Sequence, residues 1–223
     1  MLVYRIRNFL REKRLLKRQK YYQKRIPNSP DDITIISSNC LGGIIYHDLS
    51  KQFLSPTINL TFESKDFLRF CEHLDSLPLS TLVEDTNNNH PYPVGLLSMP
   101  CLVNPIRIHF VHYSTFEDAK KTFEKRSKRI NPNKTILLFS ILDLDFSLIS
   151  RFEKIPSYKK LCIYKNNIDS CVLPNRADCK FIQIMGKIPA NKDMLSFKTI
   201  LGRKMYLDDV DFDYHSFLFQ NNN

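Results

Sequence analysis

Six residues suited to ligand binding stand where a buried strand is predicted to give way to a helix. They are Ser37, Ser38, Asn39, Cys40, Gly42 and Gly43, and we call residues 37–43 the elbow. Glycines at such a junction let backbone N–H groups approach a ligand, and a helix N-terminus favours an anion. The elbow therefore suits the phosphates of a nucleotide-sugar diphosphate or an acyl carrier. It matches neither a Walker loop nor G-x-G-x-x-G, so a tight turn in which glycine avoids a clash is the alternative.

Cys40 is a candidate nucleophile within the elbow, because the N-terminus of the following helix favours its thiolate. His47 is assigned to the same site, although it lies seven residues on, about two helical turns from the thiol. Cysteine is also among the residue types most often buried. A packing role for Cys40 is therefore favoured over covalent catalysis.

Two histidines, His109 and His112, flank the end of the strand predicted over residues 106–111. Ligands of a parallel sheet gather at the carboxyl ends of its strands, so His112 is well placed to act as a general base. Its neighbours Phe110 and Tyr113 are aromatic, and a predicted helix begins just after it. A packing or helix-capping role is thus an equal alternative for His112.

Arg126 and Arg129 lie three residues apart on one face of the helix predicted over residues 114–129. Two guanidinium groups at this spacing can clamp a phosphate or a carboxylate. Cations near a helix C-terminus also complement the helix dipole, and this solvated role is favoured for Lys125 and Lys128.

Asp143-Leu144-Asp145 follows the apolar strand predicted over residues 135–142. Two carboxylates at a strand end can hold Mg²⁺ or Mn²⁺ against a diphosphate, as the D-x-D of many glycosyltransferases does. This pattern is short and frequent by chance, and Asp145 is a natural N-cap for the next helix. Asp143 is therefore the candidate metal ligand, and Asp145 is assigned to the cap.

Predicted strands alternate with predicted helices along the chain. Strands are predicted near residues 33–36, 57–62, 91–97, 106–111, 135–142, 160–164 and 181–185. Helices are predicted near residues 2–25, 44–51, 64–74, 114–129, 146–154 and 192–201. Ser64 and either Ser114 or Thr115 are the predicted N-caps of two of them. The alternation predicts an α/β fold: a three-layer, mostly parallel central sheet with helices on both faces, preceded by a basic N-terminal helix.

The net charge of +10 is concentrated at the N-terminus. Residues 1–26 hold ten cations and one acid (+9), and the rest holds 23 cations and 22 acids (+1). We therefore divide the chain into a basic amphipathic helix, residues 1–28, and one α/β domain, residues 29–223. Such a helix can lie on an anionic membrane surface. A solvated or RNA-binding arm is the alternative, but the body lacks the basic, aromatic-interleaved segments expected for nucleic acid.

Cysteine usage and the absence of a long apolar run bear on the compartment. The six cysteines form no C-x-x-C pair, and no Cys/His group has zinc-ligand spacing. The chain begins with charge rather than a secretory apolar run, and no stretch approaches the roughly 20 apolar residues of a spanning helix. We expect free thiols in a reducing cytoplasm, with the protein peripheral on the inner face of the plasma membrane.

Several of these segments, in the same order, resemble a bacterial family known as domain of unknown function nineteen-nineteen. The elbow fits its S-x-N-C-x-G-G pattern, and Ser55-Pro56-Thr57 fits S-P-T. Tyr92-Pro93-Val94-Gly95 fits Y-P-x-G, and Phe110-Val111-His112-Tyr113 fits F-x-H-Y. Residues 124–131, EKRSKRIN, resemble W-x-R-R-x-R-I-N.

The resemblance covers roughly residues 30–155 and departs from the pattern where Leu41 and Phe123 stand in place of a common Trp. It implies an α/β fold and a setting in capsule or exopolysaccharide biosynthesis, but no reaction. With it, ligand binding is favoured over a tight turn for the elbow. For Arg126 and Arg129 it makes ligand binding and dipole complementation equal alternatives.

The resulting hypothesis is a transferase of surface-polysaccharide assembly. It would move a sugar, or less readily an acyl group, from an activated donor to a membrane-linked glycan acceptor. Its substrate-binding residues would be Ser38, Asn39, Gly42, Gly43, His47, Arg126 and Arg129, with Cys40 and His112 as catalytic candidates. A non-catalytic binding or scaffold protein of the same assembly system is the alternative.

Overall fold

The chain alternates helices and strands, with two sheets of different topology in its first 184 residues. The computed structural model describes residues 2–27, 29–169, 173–174, 176–184, 196–199, 202–205 and 212–219. The helices are α1 (Leu2–Arg25), α2 (Leu41–Asp48), α3 (Ser64–Glu72), α4 (Phe116–Ser127), α5 (Phe146–Lys154) and α6 (Tyr214–Phe219). The strands are β1 (Thr34–Ser37), β2 (Thr81–Glu84), β3 (Val94–Ser98), β4 (Ile106–His109), β5 (Thr135–Ile141), β6 (Lys159–Tyr164), β7 (Cys179–Gln183), β8 (Ser196–Thr199) and β9 (Gly202–Met205).

The larger sheet is parallel and has the strand order β1-β5-β6-β7. Strands β1 and β6 are buried along their whole length, and β5 is buried except at Ser140. Strands covered on both faces need continuous apolar runs, which is why the sequence predicts these strands most readily. Their carboxyl ends all lie at one edge of the sheet, which carries the elbow after β1 and Asp143 after β5.

Side chains alternate across this sheet and divide the core in two. On one face Ile36, Leu137, Phe139 and Cys162 pack with α3, α4, α5 and the second sheet. On the other face Ile35, Ile136, Leu138 and Leu161 pack with α1, α2 and α6. The predicted three-layer α/β arrangement, with helices on both faces of a mostly parallel sheet, is confirmed.

The second sheet, β2-β3-β4, is antiparallel and is not predicted from the sequence. It attaches to the larger sheet through the segment that follows the S-P-T motif. Thr61 pairs with His109 at the outer edge of β4, through backbone bonds of 2.8 and 2.9 Å. The hydroxyl of Thr61 and the N–H of Phe62 both donate to the carbonyl of Ser38. Residues 61 and 62 therefore join the elbow to the antiparallel sheet.

Helix α1 docks on the domain along one face of its C-terminal half. Arg18 donates to both carboxylate oxygens of Asp48, at 2.8 and 2.7 Å, and the Asp48 side chain is only 2% exposed. The ring of Tyr22 stacks on that of His215 with 3.6 Å between centroids. Tyr22 and Ile26 are buried in the core beside α2 and α6. The last turns of the basic helix are thus part of the domain's packing.

Several predicted element boundaries are wrong, each for a local reason. Residues 56–59 form a turn rather than a strand, and only Thr61 of that stretch pairs. Ser64 is the first residue of α3, whose N-cap is Glu63, without a side-chain cap bond. Residues 196–199 of the predicted helix 192–201 form β8, and the remainder of that prediction lies outside the described residues.

Candidate functional site

The elbow forms the turn from β1 into α2 at the carboxyl edge of the parallel sheet. The side-chain oxygen of Asn39 accepts from the N–H of Leu41 at 3.1 Å, so Asn39 satisfies one of the otherwise unpaired N–H groups at the start of α2. Ser38 is buried and its hydroxyl accepts from the N–H of Ser140 at 2.9 Å, which ties the elbow to β5. Asn39 and Cys40 remain half-buried and open to one side.

The two glycines of the elbow allow α2 to pack closely against its neighbours. A Cβ on Gly42 would lie 3.1 Å from Ser37 Cβ, and a Cβ on Gly43 would lie 3.3 Å from a methyl of Ile58. Both residues are buried and helical. Close packing accounts for glycine at these positions, whereas their predicted contact with donor phosphates remains a prediction.

The S-P-T motif supports the elbow from the outer side of β1. Strand β1 is the edge of its sheet in the described part of the chain, so one row of its N–H groups needs other partners. Thr57 Oγ1 accepts from the N–H of Ser37 at 2.9 Å and lies 3.0 Å from Ser55 Oγ. Both hydroxyl residues are fully buried. The resemblance to the family thus includes residues that hold the elbow in place.

Arg126 and Arg129 contact the backbone of the loop that carries the S-P-T motif, residues 51–60. Arg129 donates to the carbonyl of Phe53 at 3.1 Å. Arg126 makes longer bonds to the carbonyl of Ile58 and the hydroxyl of Tyr113, and its guanidinium lies 5.1 Å above the ring of Phe53. Both arginines are half-buried. They position the loop against α2, and their predicted contact with a ligand remains a prediction.

Cys40 and His47 lie at opposite ends of α2. The thiol of Cys40 makes a weak contact of 4.0 Å with the carbonyl of Leu60. His47 is exposed, and its ring packs edge-on against Phe53 at 5.1 Å. Seven helical residues correspond to about 10 Å of rise, so the two side chains are not neighbours along the helix.

The two histidines after β3 have very different surroundings. The predicted location of His112 at the carboxyl end of a parallel strand is wrong, because β4 pairs antiparallel with β3. His112 is exposed in the turn between β4 and α4. His109 is only 7% exposed, and its Nδ1 has no hydrogen-bond partner among the described residues. Burial, with a smaller contribution from His90, lowers the pKa of His109.

The carboxylates after β5 have distinct roles. Asp145 caps α5 by accepting from the N–H of Leu148 at 2.8 Å, as predicted. Asn166 holds the preceding turn through two hydrogen bonds with the backbone of Leu144. Asp143 is exposed at the sheet edge. Within the described ranges, no three His, Cys, Asp or Glu side chains form a group that could hold a metal ion.

A groove that the sequence analysis misses lies between the β2–β3 loop and the start of α4. Its volume is about 580 Å³, and it includes Tyr92 and Pro93 of the Y-P-x-G motif. A Cβ on Gly95, the glycine of this motif, would lie 2.8 Å from Leu82 and 2.9 Å from Phe110. The available signal is the His90-Pro91-Tyr92-Pro93 run, in which aromatic and proline rings alternate.

Fold and site together define an α/β protein with a strand-to-helix elbow at the carboxyl edge of a parallel sheet. The family known as Domain of unknown function (DUF1919) matches residues 10–217, so the chain belongs to that family. The match includes most of α1 as well as the body. The chain is also 28% identical, over 206 residues, to a protein of Haemophilus influenzae described as uncharacterized. That alignment covers 89% of this chain and 91% of the relative.

Proposed function

We propose that this protein is a transferase of surface-polysaccharide assembly that works at the inner face of the plasma membrane. A sugar would pass from a nucleoside diphosphate to a hydroxyl of a membrane-linked glycan, and acyl transfer is the less favoured variant. The acceptor oxygen forms a bond to the anomeric carbon while the bond from that carbon to the phosphate oxygen breaks. The nucleoside diphosphate leaves, and the hydroxyl proton passes to a base, for which His112 is the candidate.

The observation that carries the proposal is the way α1 presents its apolar side chains. Ile6, Phe9, Leu10 and Leu16 are between 46% and 55% exposed. At about 100° per residue, they fall within an arc of about 120° on the face opposite Arg18, Tyr22 and Ile26. Lys13 lies within the same arc, with its ammonium group 4.7 Å above the ring of Phe9. Because α1 docks through the face of Arg18, Tyr22 and Ile26, its apolar side chains are directed away from the domain. In the part of the chain that the structure describes, no helix combines the length and hydropathy required to cross a bilayer.

A helix with exposed apolar residues and a charge of +9 in residues 1–26 suits an anionic lipid surface. The apolar side chains gain free energy by leaving water, and each nearby cation adds about 1 kcal/mol. Assembly of surface glycans on membrane-bound carriers requires such a location. The elbow supports the part of the proposal that concerns the sugar donor, because a helix N-terminus at the carboxyl edge of a parallel sheet suits a diphosphate.

The first test removes the apolar face without changing charge. We expect Phe9→Ser/Leu10→Ser/Leu16→Ser to weaken binding to vesicles of mixed phosphatidylglycerol and phosphatidylcholine by about tenfold or more in a flotation assay. The matched control, Leu79→Ser/Val103→Ser/Phe146→Ser, removes three exposed apolar side chains from the body and should bind like the wild type. Equal binding by the two triple variants would exclude the membrane role of α1. RNA binding that both variants retain, with no vesicle binding by the wild type, would favour an RNA-associated protein.

The second test places a negative charge where the donor phosphates are proposed to bind. Asn39→Asp keeps the oxygen that accepts from Leu41, and a carboxylate stabilises a helix N-terminus, so the fold is expected to persist. We expect this variant to fail to restore surface-glycan composition in a deletion strain, measured by mass spectrometry. Asn133→Asp, on an exposed residue, is the control that should restore it. A deletion strain with unaltered glycan, or full restoration by Asn39→Asp, would refute the proposed function.

A further inference from the structure

The groove beside the Y-P-x-G motif is built from rings and carboxylates. Its walls include Glu84, Asn88, His90, Tyr92, Thr115 and Glu117. Among the described residues that line it, none is Lys or Arg. Thr115 and Asp118 are already hydrogen-bonded to each other at the N-terminus of α4. The Thr115 hydroxyl accepts from the N–H of Asp118 and donates to the carboxylate of Asp118. An anion therefore has no Lys or Arg partner among the described residues that line this groove.

One wall of the groove is a rigid platform of rings. His90 and Tyr92 are stacked, with 5.0 Å between their centroids and 9° between their planes. His109 lies edge-on to both rings, at 4.9 and 6.0 Å, and is almost fully buried. The backbone of His109 is fixed from both sides, by Thr61 and by Val94 of β3. The platform thus has a support that does not depend on the groove being filled.

The groove also lies close to the elbow. Thr61 pairs with His109 on one side and donates its hydroxyl to Ser38 on the other. Ser38, Thr61 and His109 lie on three neighbouring chain segments joined by hydrogen bonds. Ser38 and His109 are therefore about two interstrand spacings, or about 10 Å, apart. The buried ring of the platform and the elbow are therefore connected through a single residue, Thr61.

We propose that the groove binds a pyranose ring of the glycan acceptor. That this sugar belongs to the acceptor rests on the proposed function. A pyranose has an apolar C–H face that packs on an aromatic ring, and a rim of hydroxyl groups. Glu84 and Glu117 offer carboxylate oxygens that can accept from those hydroxyls and so orient the ring. The Asn88 amide already bonds the backbone of Asp85 and His90 and holds the loop. The absence of cations among the described lining residues distinguishes this neutral ligand from the phosphorylated donor at the elbow.

Saturation-transfer NMR on the full-length protein tests this site with methyl glucopyranoside, methyl galactopyranoside and N-acetylglucosamine as probes. We expect at least one of them to give a saturable signal. Tyr92→Ala removes the platform and should weaken that binding by about tenfold. Glu117→Gln, an exposed and nearly isosteric change, should weaken it several-fold while the chain stays folded. Phe146→Ala, which removes an exposed ring elsewhere, is the matched control and should bind like the wild type.

Three results would overturn the assignment. They are the lack of a saturable signal from all three sugars, wild-type binding by Tyr92→Ala, and competition by tetramethylammonium, which would indicate a cation site. Failure here leaves the results for Asn39→Asp and for vesicle binding unaffected, because those variants lie outside the groove. Conversely, sugar binding by a protein whose deletion leaves the cell's glycan unaltered would support the groove and refute the proposed function.

Discussion

Replacing Arg18 by alanine is expected to lower the free energy of unfolding by about 3 kcal/mol, because it removes one partner of a buried ion pair. The Asp48 carboxylate is 2% exposed and receives two charge-assisted hydrogen bonds from the Arg18 guanidinium. Without Arg18 this carboxylate stays in the core beside α2 and loses both bonds. Urea unfolding at neutral pH measures the loss, and limited proteolysis should show faster cleavage within α1.

The control for this prediction is the neighbouring cation. Lys17 is exposed on the same helix, so Lys17→Ala removes the same charge from solvent and should change stability by less than about 0.5 kcal/mol. Arg18→Lys keeps the charge but not the paired geometry and should fall between the two. Equal stabilities of Arg18→Ala and Lys17→Ala would show that α1 is not held to the domain by this pair. The vesicle assay on Arg18→Ala then tests whether the docked face is needed to orient the apolar one.

The parallel sheet and its helices are predictable from the sequence because their signals are local. Residues 135–141 are buried except at Ser140, and such a run is typical of a strand covered on both faces. The caps Thr115 and Asp145 precede their helices at the expected spacing and accept the expected N–H groups. Each of these features depends on residues within about one turn of each other.

The antiparallel sheet is harder to predict because its partners are distant in sequence. Strand β4 has the alternation of a half-covered strand, with Ile106 and Ile108 buried and Arg107 exposed. Its pairing with Val94 through Leu97, and with Thr61, depends on two separate loops. Strand β2 is four residues long, and only Leu82 of it is buried. Its sequence therefore shows almost no alternation of apolar and polar residues. An isolated extended run does not reveal whether its neighbour is parallel or antiparallel, so the predicted location of His112 is wrong.

The residue types of the candidate site are predictable, but their contacts are not. Sequence predicts glycines at the elbow, whereas the reason for Gly43 depends on Ile58, which reaches α2 only in the folded chain. The sequence predicts an anion site at Arg126 and Arg129, and in the structure both contact backbone carbonyl oxygens, those of Ile58 and Phe53. The pairing of Arg18 with Asp48 joins residues 30 positions apart. Nothing in a basic, charged helix distinguishes Arg18, or Arg25, which pairs with Asp213, from the neighbouring cations.

Acid is expected to destabilise the same docking region before it affects most carboxylates, through His215. This histidine is 1% exposed, between the rings of Tyr22 and Tyr214. Burial, followed by the nearby charge of Arg18, lowers the pKa of His215 to about 3. Its Nε2 lies 3.8 Å from Asp48, too far for a hydrogen bond, and has no such partner among the described residues.

The sign of the pH effect follows from which state binds the proton. An unfolded histidine takes up a proton below about pH 6.5, whereas folded His215 stays neutral down to about pH 3. The contribution of neutral His215 to the free energy of unfolding is therefore fully present above about pH 6.5. It decreases as the pH falls from there towards 3. Between pH 7 and pH 4.5 the loss from His215 should be about 2–3 kcal/mol. The pKa values of Asp32 and Asp178, held low by Lys134 and Arg176, matter only below about pH 4.

Urea unfolding at several pH values, with His215→Phe beside the wild type, measures this contribution. The phenyl ring keeps the stacking on Tyr22 but cannot bind a proton, so the variant should lose most of the decline between pH 7 and pH 4.5. A residual decline is expected from His109, whose pKa burial also lowers. His73→Phe, at a half-buried histidine at the end of α3, should keep the wild-type decline. An unchanged decline in His215→Phe would contradict the prediction.

Arg18 and His215 should also be coupled, because both face Asp48. Removing Arg18 takes away a cation that lowers the pKa of His215 and leaves the carboxylate of Asp48 without that cation. Protonated His215 can then pair with Asp48, so the destabilisation by Arg18→Ala should shrink as pH falls from 7 to 5. In the His215→Phe background the destabilisation by Arg18→Ala should shrink less over that range, because no protonated imidazole can then pair with Asp48. The same pH dependence in both backgrounds would mean that Asp48 and His215 do not interact when the arginine is absent.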